Sequence, residues 1–457
     1  MADFSLTEVL KATGGRLINA GGNKLFQGVS TDTRSIQDGN LFVALVGEHF
    51  DGNEFAAQAV ANGATGLIVS KAVVVPEHVT VIQVINTLTA LQELARFHRQ
   101  RYHIPVIAVT GSNGKTTTKD MLAAVLSSRF KVLKTEANFN NEIGLSLTLL
   151  KLDASHEVAV VEMGMRAIGE IRGLTKIALP TVGVVTNVGE THMEILGSIE
   201  NITAAKAELV EAIGHDDVVI LNADDQHVRD MQLKTQGRVV FYGLTPAAFV
   251  RAENITTGEN GELITAFECC SARGSFPVTL PAVGIHNVYN ALAAIAVGWE
   301  LGLKPNEIQK GIGSFVTGAM RLEIKRYSQY TVINDVYNAS PLSMAAALTT
   351  LANISKGRKI AVLGDMLELG DAAVEAHRRV GRQAAEQGVD ILIAVGALAK
   401  HIAAAASEQG VKTTLAFTGH SEAIEALGKL VKPGDYILLK GSRGMKMETM
   451  LETFKDI

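Results

Sequence analysis

Between Thr110 and Thr118 the chain reads TGSNGKTTT, directly after the apolar run Val106 to Val109 and at the start of a helical stretch. A glycine-rich turn between a strand and a helix converges backbone N–H groups and the positive helix end on one point, which suits a polyphosphate. Gly111, Ser112, Asn113 and Gly114 would form the cradle and Lys115 would reach the outer phosphates. Thr116 or Thr117 would offer a hydroxyl to the accompanying Mg²⁺. The usual motif begins with a glycine five residues before the second one, a place held here by Val109, so this is the shorter G-x-x-G-K-T form. An ordinary glycine turn with a surface lysine explains the coincidence of strand, turn, Lys-Thr and helix poorly.

That strand-turn-helix unit needs a parallel sheet around it, and the rest of the chain supplies three α/β blocks. With 457 residues, about three domains are expected. In the first block Leu41 to Val46 reads as a strand, Glu54 to Ala61 as a helix and Gly66 to Val69 as a second strand, closing near residue 82. The second carries strands at Val158 to Val161, Thr181 to Thr186 and Val218 to Leu221, with helices between, which argues for a doubly wound, mostly parallel sheet. The third repeats the pattern near Val332 to Asn334, Ile360 to Leu363, Ile391 to Val395 and Tyr436 to Leu439, a Rossmann-like alternation without G-x-G-x-x-G. Domains are therefore expected at 1–82, 83–314 and 315–457.

Net charge is -5 with both signs interspersed, so nothing resembles a nucleic-acid or membrane-surface footprint. No apolar run approaches a bilayer span and no secretory leader is visible, so a cytoplasmic protein without membrane insertion is expected. Adjacent Cys269 and Cys270 fit neither a disulfide framework nor a zinc site and read as structural.

In open α/β sheets ligands gather beyond the carboxyl ends of the strands. Glu162 follows one such end, where the Mg²⁺ of the phosphate loop should lie; a solvated strand-end carboxylate is the plain alternative. His192, in Gly189-Glu190-Thr191-His192, would by position alone more often be a surface or core histidine than a ligand. On periodicity alone Lys206 and Glu208 are ordinary charges on a solvated helix face. Asn290, near the start of an alanine-rich helix, is as readily a cap as a base-binding residue.

Taken together, TGSNGKTTT, EMG at Glu162, THxE at His192 to Glu194, AKxE at Lys206, HNxxNALAA at His286 and MRLE at Arg321 resemble, in order and over essentially the whole chain, the Mur ligase family. These are ATP-dependent amide-bond-forming enzymes of peptidoglycan synthesis. NFNNEIG at Asn138 to Gly144, DVYNASPLSM at Asp335 to Met344, LGDMLELG at Leu363 to Gly370 and KGSRGMKME at Lys440 to Glu448 are similar to the branch that joins D-alanyl-D-alanine to UDP-N-acetylmuramoyl-tripeptide. The family's usual tyrosine-asparagine-alanine-asparagine-proline reads Tyr337-Asn338-Ala339-Ser340-Pro341, so the second asparagine has no counterpart. Ala319-Met320-Arg321 also varies the tighter glycine-arginine form of some relatives.

The resemblance implies that Lys115, Lys206 and His192 are catalytic. It implies that Gly111 to Thr117, Asn290, Arg321 and Asp335 surround ATP, and that Thr116, Glu162, His192 and Lys206 face Mg²⁺. Lys206 matches a lysine that in related ligases carries a CO₂-derived carbamate. Ser30, Thr31, Asp32, Thr33, Arg34 and Gly47, with Asp51-Gly52, match the UDP-precursor region, joined by Asn138 and Asn141; read without the family, Ser30 to Arg34 equally suit a capped turn. Tyr337, Asn338 and Ser340 are expected to bind the dipeptide. A monomer is expected. The competing readings are a sister ligase adding the third stem residue, whose aspartate-asparagine-proline-arginine motif is not found, a folylpolyglutamate synthetase, and a P-loop ATPase or switch that ligates nothing.

Overall fold

The computed structural model describes residues 2–258 and 263–453. Among them a five-stranded sheet runs in the order Arg16–Asn19, Thr80–Gln83, Gly66–Val69, Leu41–Val43, Val29–Ser30, accompanied by a two-stranded ribbon of Asp3–Ser5 and Leu25–Gln27. The helix expected from Glu54 starts instead as a 3₁₀ turn, Gly52–Phe55, before Ala56–Ala61. The cause is Asp51, whose Oδ1 accepts the Asn53 N–H at 3.0 Å and tightens the first turn.

The central sheet has nine strands. From one edge they are Val132–Lys134, Val158–Glu162, Val106–Thr110, Val182–Val185, Val218–Asn222, Arg238–Gly243 and Val250–Thr257, all parallel, followed by antiparallel Thr265–Ser271 and Gly274–Leu280. Helices Lys115–Leu126 and Ile285–Glu300 cover one face, while Thr87–Arg99, Glu142–Leu149, Glu170–Ala178 and Ile199–Glu211 cover the other. Strands covered on both faces must be apolar throughout, which is why Val106–Thr110 and Val158–Glu162, buried at every position, are legible in the sequence. The outer strands escape that reading because Gly274–Leu280 alternates between exposed and buried and carries Pro277, tolerated at a sheet edge where its missing N–H leaves no ladder bond unmade.

Val106–Thr110 lies between Val158–Glu162 and Val182–Val185. The chain leaves it toward Val132–Lys134 and later crosses to the opposite side, so its carboxyl end opens at the point where the connections reverse.

The third sheet has six strands, ordered Glu323–Arg326, Thr331–Asp335, Tyr436–Lys440, Lys359–Gly364, Ile391–Val395, Thr413–Phe417. Only the first pair is antiparallel. Helices Pro341–Ile354, Ala373–Glu386 and Lys400–Glu408 cover one face and His420–Leu430 the other. Because Tyr436–Lys440 is inserted beside Thr331–Asp335, the ends Asp335 and Lys440 are register partners. Cys269 and Cys270 are free thiols on an inner strand, and burial pushes Cys269 up to about 12. Among the described residues no helix is long and apolar enough to cross a membrane.

Candidate active site

Two glycines give the phosphate loop its shape. Gly111 has φ +149 and an added Cβ would lie 1.9 Å from Thr186 Oγ1; Gly114 has φ +81 and a Cβ there would lie 2.7 Å from Asn290 Oδ1. Between them the loop is held by its neighbours. Asn113 N–H donates to Asn187 Oδ1 at 2.9 Å, Thr186 Oγ1 donates to Asn113 O at 2.6 Å, and Ser112 Oγ donates to Gly189 O at 2.9 Å. Lys115, the first residue of helix Lys115–Leu126, folds back so that Nζ donates to Gly111 O at 2.8 Å. Burial lowers its pKa, while Glu162 opposes that shift.

Glu162 ends its strand at 2% exposure. Asn140 Nδ2 donates to its Oε1 at 2.8 Å, but its buried Oε2 has no hydrogen-bond partner. A bare carboxylate oxygen in a closed site calls for a cation. Among the described residues no three His, Cys, Asp or Glu side chains cluster as a metal centre. Mg²⁺ does not need such a cage, since one or two carboxylates, phosphate oxygens, a hydroxyl and water suffice. Glu162 and the Thr116 hydroxyl, lining one cavity, fit that donor set.

Lys206 is not on a solvated face. It is 2% exposed on helix Ile199–Glu211, and no hydrogen bond or ion pair to its Nζ is found among the described residues. Burial, and secondarily the charge of Lys115, hold its pKa well below the ordinary lysine value. Glu208 is buried too, but for a structural reason. Its carboxylate accepts the N–H groups of Gly169 at 2.7 Å and Arg172 at 2.9 Å, satisfying the start of helix Glu170–Ala178.

His192 has φ +56, and Glu368 Oε2 of the third sheet's layer lies 2.6 Å from its Nδ1, off the line of a hydrogen bond. Burial lowers the His192 pKa, with the Glu368 carboxylate acting against it. Glu368 has no place among the expected site residues, although it lies within LGDMLELG; its only sequence signal is that motif, because its partner is far away in the chain.

The C-terminal block meets the phosphate loop directly. Arg321 Nη2 donates to Thr116 Oγ1 at 3.0 Å, with its guanidinium 3.8 Å over the Tyr337 ring. Ser340 caps helix Pro341–Ile354 and its Oγ donates to Asn113 Oδ1 at 2.9 Å. Lys440 Nζ bridges Asp335 Oδ2 at 2.6 Å and the Asn338 carbonyl at 2.9 Å. Burial raises the Asp335 pKa, and Lys440 opposes it. Asn290 is 6% exposed inside helix Ile285–Glu300, where it accepts from Thr118 at 3.0 Å rather than capping the helix start.

These residues converge on one cavity of about 1480 Å³. It brings together Ser112 to Thr117, Glu162, His192, Lys206, Asn290, Arg321, Asp335, Tyr337, Asn338, Ser340, Asn138 and Asn141. Asn141 caps helix Glu142–Leu149 through the Gly144 N–H at 2.9 Å. Gly111 shapes the loop but does not line the cavity. Ser30, Thr31, Asp32, Thr33, Arg34 and Gly47 do not line the cavity. There Asp32 caps the turn Thr33–Ser35 and pairs with exposed Arg34 at 2.6 Å, which pulls Asp32 down to about 2.

Residues 109–298 match the Mur ligase middle domain, 320–443 the Mur ligase glutamate ligase domain and 25–99 the Mur ligase family catalytic domain. The UDP-N-acetylmuramoyl-tripeptide–D-alanyl-D-alanine ligase of Bacillus subtilis is 41% identical over 95% of this chain and 93% of its own length. The enzyme of the same name from Escherichia coli is 34% identical over 100% and 99%. A crystal structure of MurF from Acinetobacter baumannii superposes with a TM-score of 0.91 at 32% identity, covering 100% of both chains. MurF ligase from Thermotoga maritima in complex with ADP gives 0.84 at 28% identity, covering 94% of this chain and 97% of that one.

Proposed function

The chain belongs to the Mur ligase family, and from that premise we infer its reaction: it is an ATP-dependent ligase that joins D-alanyl-D-alanine to UDP-N-acetylmuramoyl-tripeptide in peptidoglycan synthesis. The observation that carries this reading is near full-length similarity to ligases of that name, such as 41% identity over 95% of the chain with the Bacillus subtilis enzyme.

Joining a carboxylate to an amine requires expelling oxygen, and hydroxide leaves poorly. On our reading the tripeptide carboxylate attacks the γ-phosphorus of ATP, breaking the bond to ADP and forming an acyl phosphate. The neutral amine of the dipeptide then attacks the acyl carbon, the amide bond forms and inorganic phosphate leaves with the former carboxylate oxygen. Little protein covalent chemistry is needed, so the side chains act by position and charge. Lys115 exchanges the carbonyls of its own loop for phosphate oxygens and neutralises charge on the transferred group. Bound Mg²⁺ would supply further charge neutralisation, held by Thr116 and Glu162 with His192. Asn290, Arg321 and Asp335 frame the nucleotide; Tyr337, Asn338 and Ser340 frame the dipeptide.

Lys206 acts in this scheme as a carbamate. The reaction adds CO₂ to a neutral amine and releases a proton, and the burial that lowers the Lys206 pKa favours that neutral amine. The same burial leaves an unaccompanied ammonium costly, so an anion facing Lys115 and the metal is the better occupant. Residues 1–82, including Ser30 to Arg34 and Gly47, bind the UDP end, 83–314 bind ATP and 315–457 close over it. ATP and a nucleotide-activated precursor put the reaction in the cytoplasm, with the protein acting as a monomer.

The test supplies ATP, UDP-N-acetylmuramoyl-tripeptide and D-alanyl-D-alanine, each withheld in turn, and reads phosphate release and product mass. Extension by two alanines only when the dipeptide is present is expected, with D-alanine alone nearly inert. Phosphate release indifferent to the amine, or glutamate addition to a folate, would overturn the reading.

A further inference from the structure

His192 and Glu368 face each other across the boundary between the central and C-terminal blocks, and both are held in a conformation that residues with side chains avoid. His192 has φ +56 and Glu368 φ +62. Such backbone positions persist only where the surroundings over-determine them, and they concentrate where a side chain must be aimed. Here the surroundings are visible. Glu194 N–H donates to the Glu368 carbonyl at 3.2 Å, and Gly370, itself at φ +53, lets the two loops approach so closely that a Cβ there would lie 3.2 Å from Glu194 Cα. A second tie, Arg379 to Glu190, joins the same two loops.

The result is a carboxylate oxygen 2.6 Å from His192 Nδ1, a buried nitrogen with no hydrogen-bond partner. A histidine that ligates a metal through one ring nitrogen commonly has the other oriented by a carboxylate, and loss of that partner weakens the metal. We propose that Glu368 is a positioning residue, delivered by the C-terminal domain, that turns the His192 ring so that Nε2 faces the metal, making metal affinity depend on domain closure. The proposal rests on the metal role of His192 in the preceding reading. It also makes the linkage reciprocal: whatever favours closure tightens the metal, and the metal favours closure by the same factor.

The test measures Mn²⁺ binding to the full chain by electron paramagnetic resonance, with a non-hydrolysable ATP analogue present and no turnover. Glu368→Ala is expected to weaken Mn²⁺ by about 10–100-fold. Glu368→Gln, which keeps an acceptor oxygen, should lose less. His192→Ala should weaken Mn²⁺ at least as much as Glu368→Ala, and the double variant should be no weaker than His192→Ala, because one residue acts through the other. Arg379→Ala separates aiming from mere loosening of the domains: it removes the neighbouring tie, a half-exposed ion pair that does not touch His192, and should leave Mn²⁺ affinity within about threefold. Wild-type affinity in Glu368→Ala with weakened affinity in His192→Ala overturns the positioning role and leaves the histidine's metal role standing. Equal losses in Arg379→Ala and Glu368→Ala also overturn it. Unchanged affinity in His192→Ala overturns both.

Discussion

At the scale of single residues, burial without a partner is the recurring signal. Lys115 spends its ammonium on carbonyls of its own loop, a contact a phosphate can replace at once. Lys115→Ala is expected to lower turnover on the order of a hundredfold or more, because it removes a fixed charge from the transferred group. Near-normal ligation by a variant with an unchanged circular dichroism spectrum would contradict its assignment. Lys206 poses the sharper question, since an ammonium that is 2% exposed beside Lys115 is electrostatically misplaced. Lys206→Ala should lose activity and recover part of it with formate or acetate, which can occupy the vacated space as an anion. Full activity in Lys206→Arg would instead mean that a positive charge suffices there.

At the scale of elements, the phosphate loop is a turn fitted to two other segments. Gly111 sits at the φ +149 that almost only glycine adopts, and the space for a Cβ is already filled by Thr186. Gly111→Ala should destabilise the protein by roughly 2 kcal/mol or more, combining backbone strain with overpacking. Urea unfolding with the midpoint unchanged would contradict this. Helix Pro341–Ile354 shows the same economy. The one hydroxyl of Ser340 both caps the helix and reaches Asn113 of the phosphate loop. In this arrangement its hydrogen-bonding capacity is largely used within the protein, which on the proposed reading leaves dipeptide binding chiefly to Asn338 and Tyr337.

At the scale of the whole molecule, the C-terminal block touches the central one at the chemistry itself. Arg321 to Thr116, Ser340 to Asn113, Glu368 to His192 and Arg379 to Glu190 all lie around the phosphate loop, so on the proposed reading nucleotide binding and domain approach would be energetically linked. Arg321→Ala is expected to weaken ATP by about tenfold or more, the scale of one charged hydrogen bond of about 1.5–3 kcal/mol. ATP with Mg²⁺ is expected to compact the wild-type protein in small-angle X-ray scattering, and Arg321→Ala should reduce that compaction. Unaltered ATP binding together with wild-type compaction would show that Arg321 belongs to neither process.

The phosphate loop, the inner strands and Glu162 at a strand end are determined locally. A glycine turn between a strand and a helix, or a continuous apolar run, can be read from its own residues before its neighbours are known. The edge strands through Pro277 were not legible, because a half-exposed edge alternates polar and apolar residues and tolerates a proline. Lys206 and Glu208 have the periodicity of a surface helix, and only tertiary packing buries both, one to satisfy a helix start and one facing the cavity. Glu368 was hidden for a related reason. Its meaning lies in His192, a residue on another domain, and sequence carries motif order but not the direction from which a carboxylate arrives. Local patterns made the phosphate loop and the inner sheet legible; the packing of helices on the central sheet decided that Lys206 and Glu208 lose water, and burial is what turns an ordinary lysine into a group with chemistry.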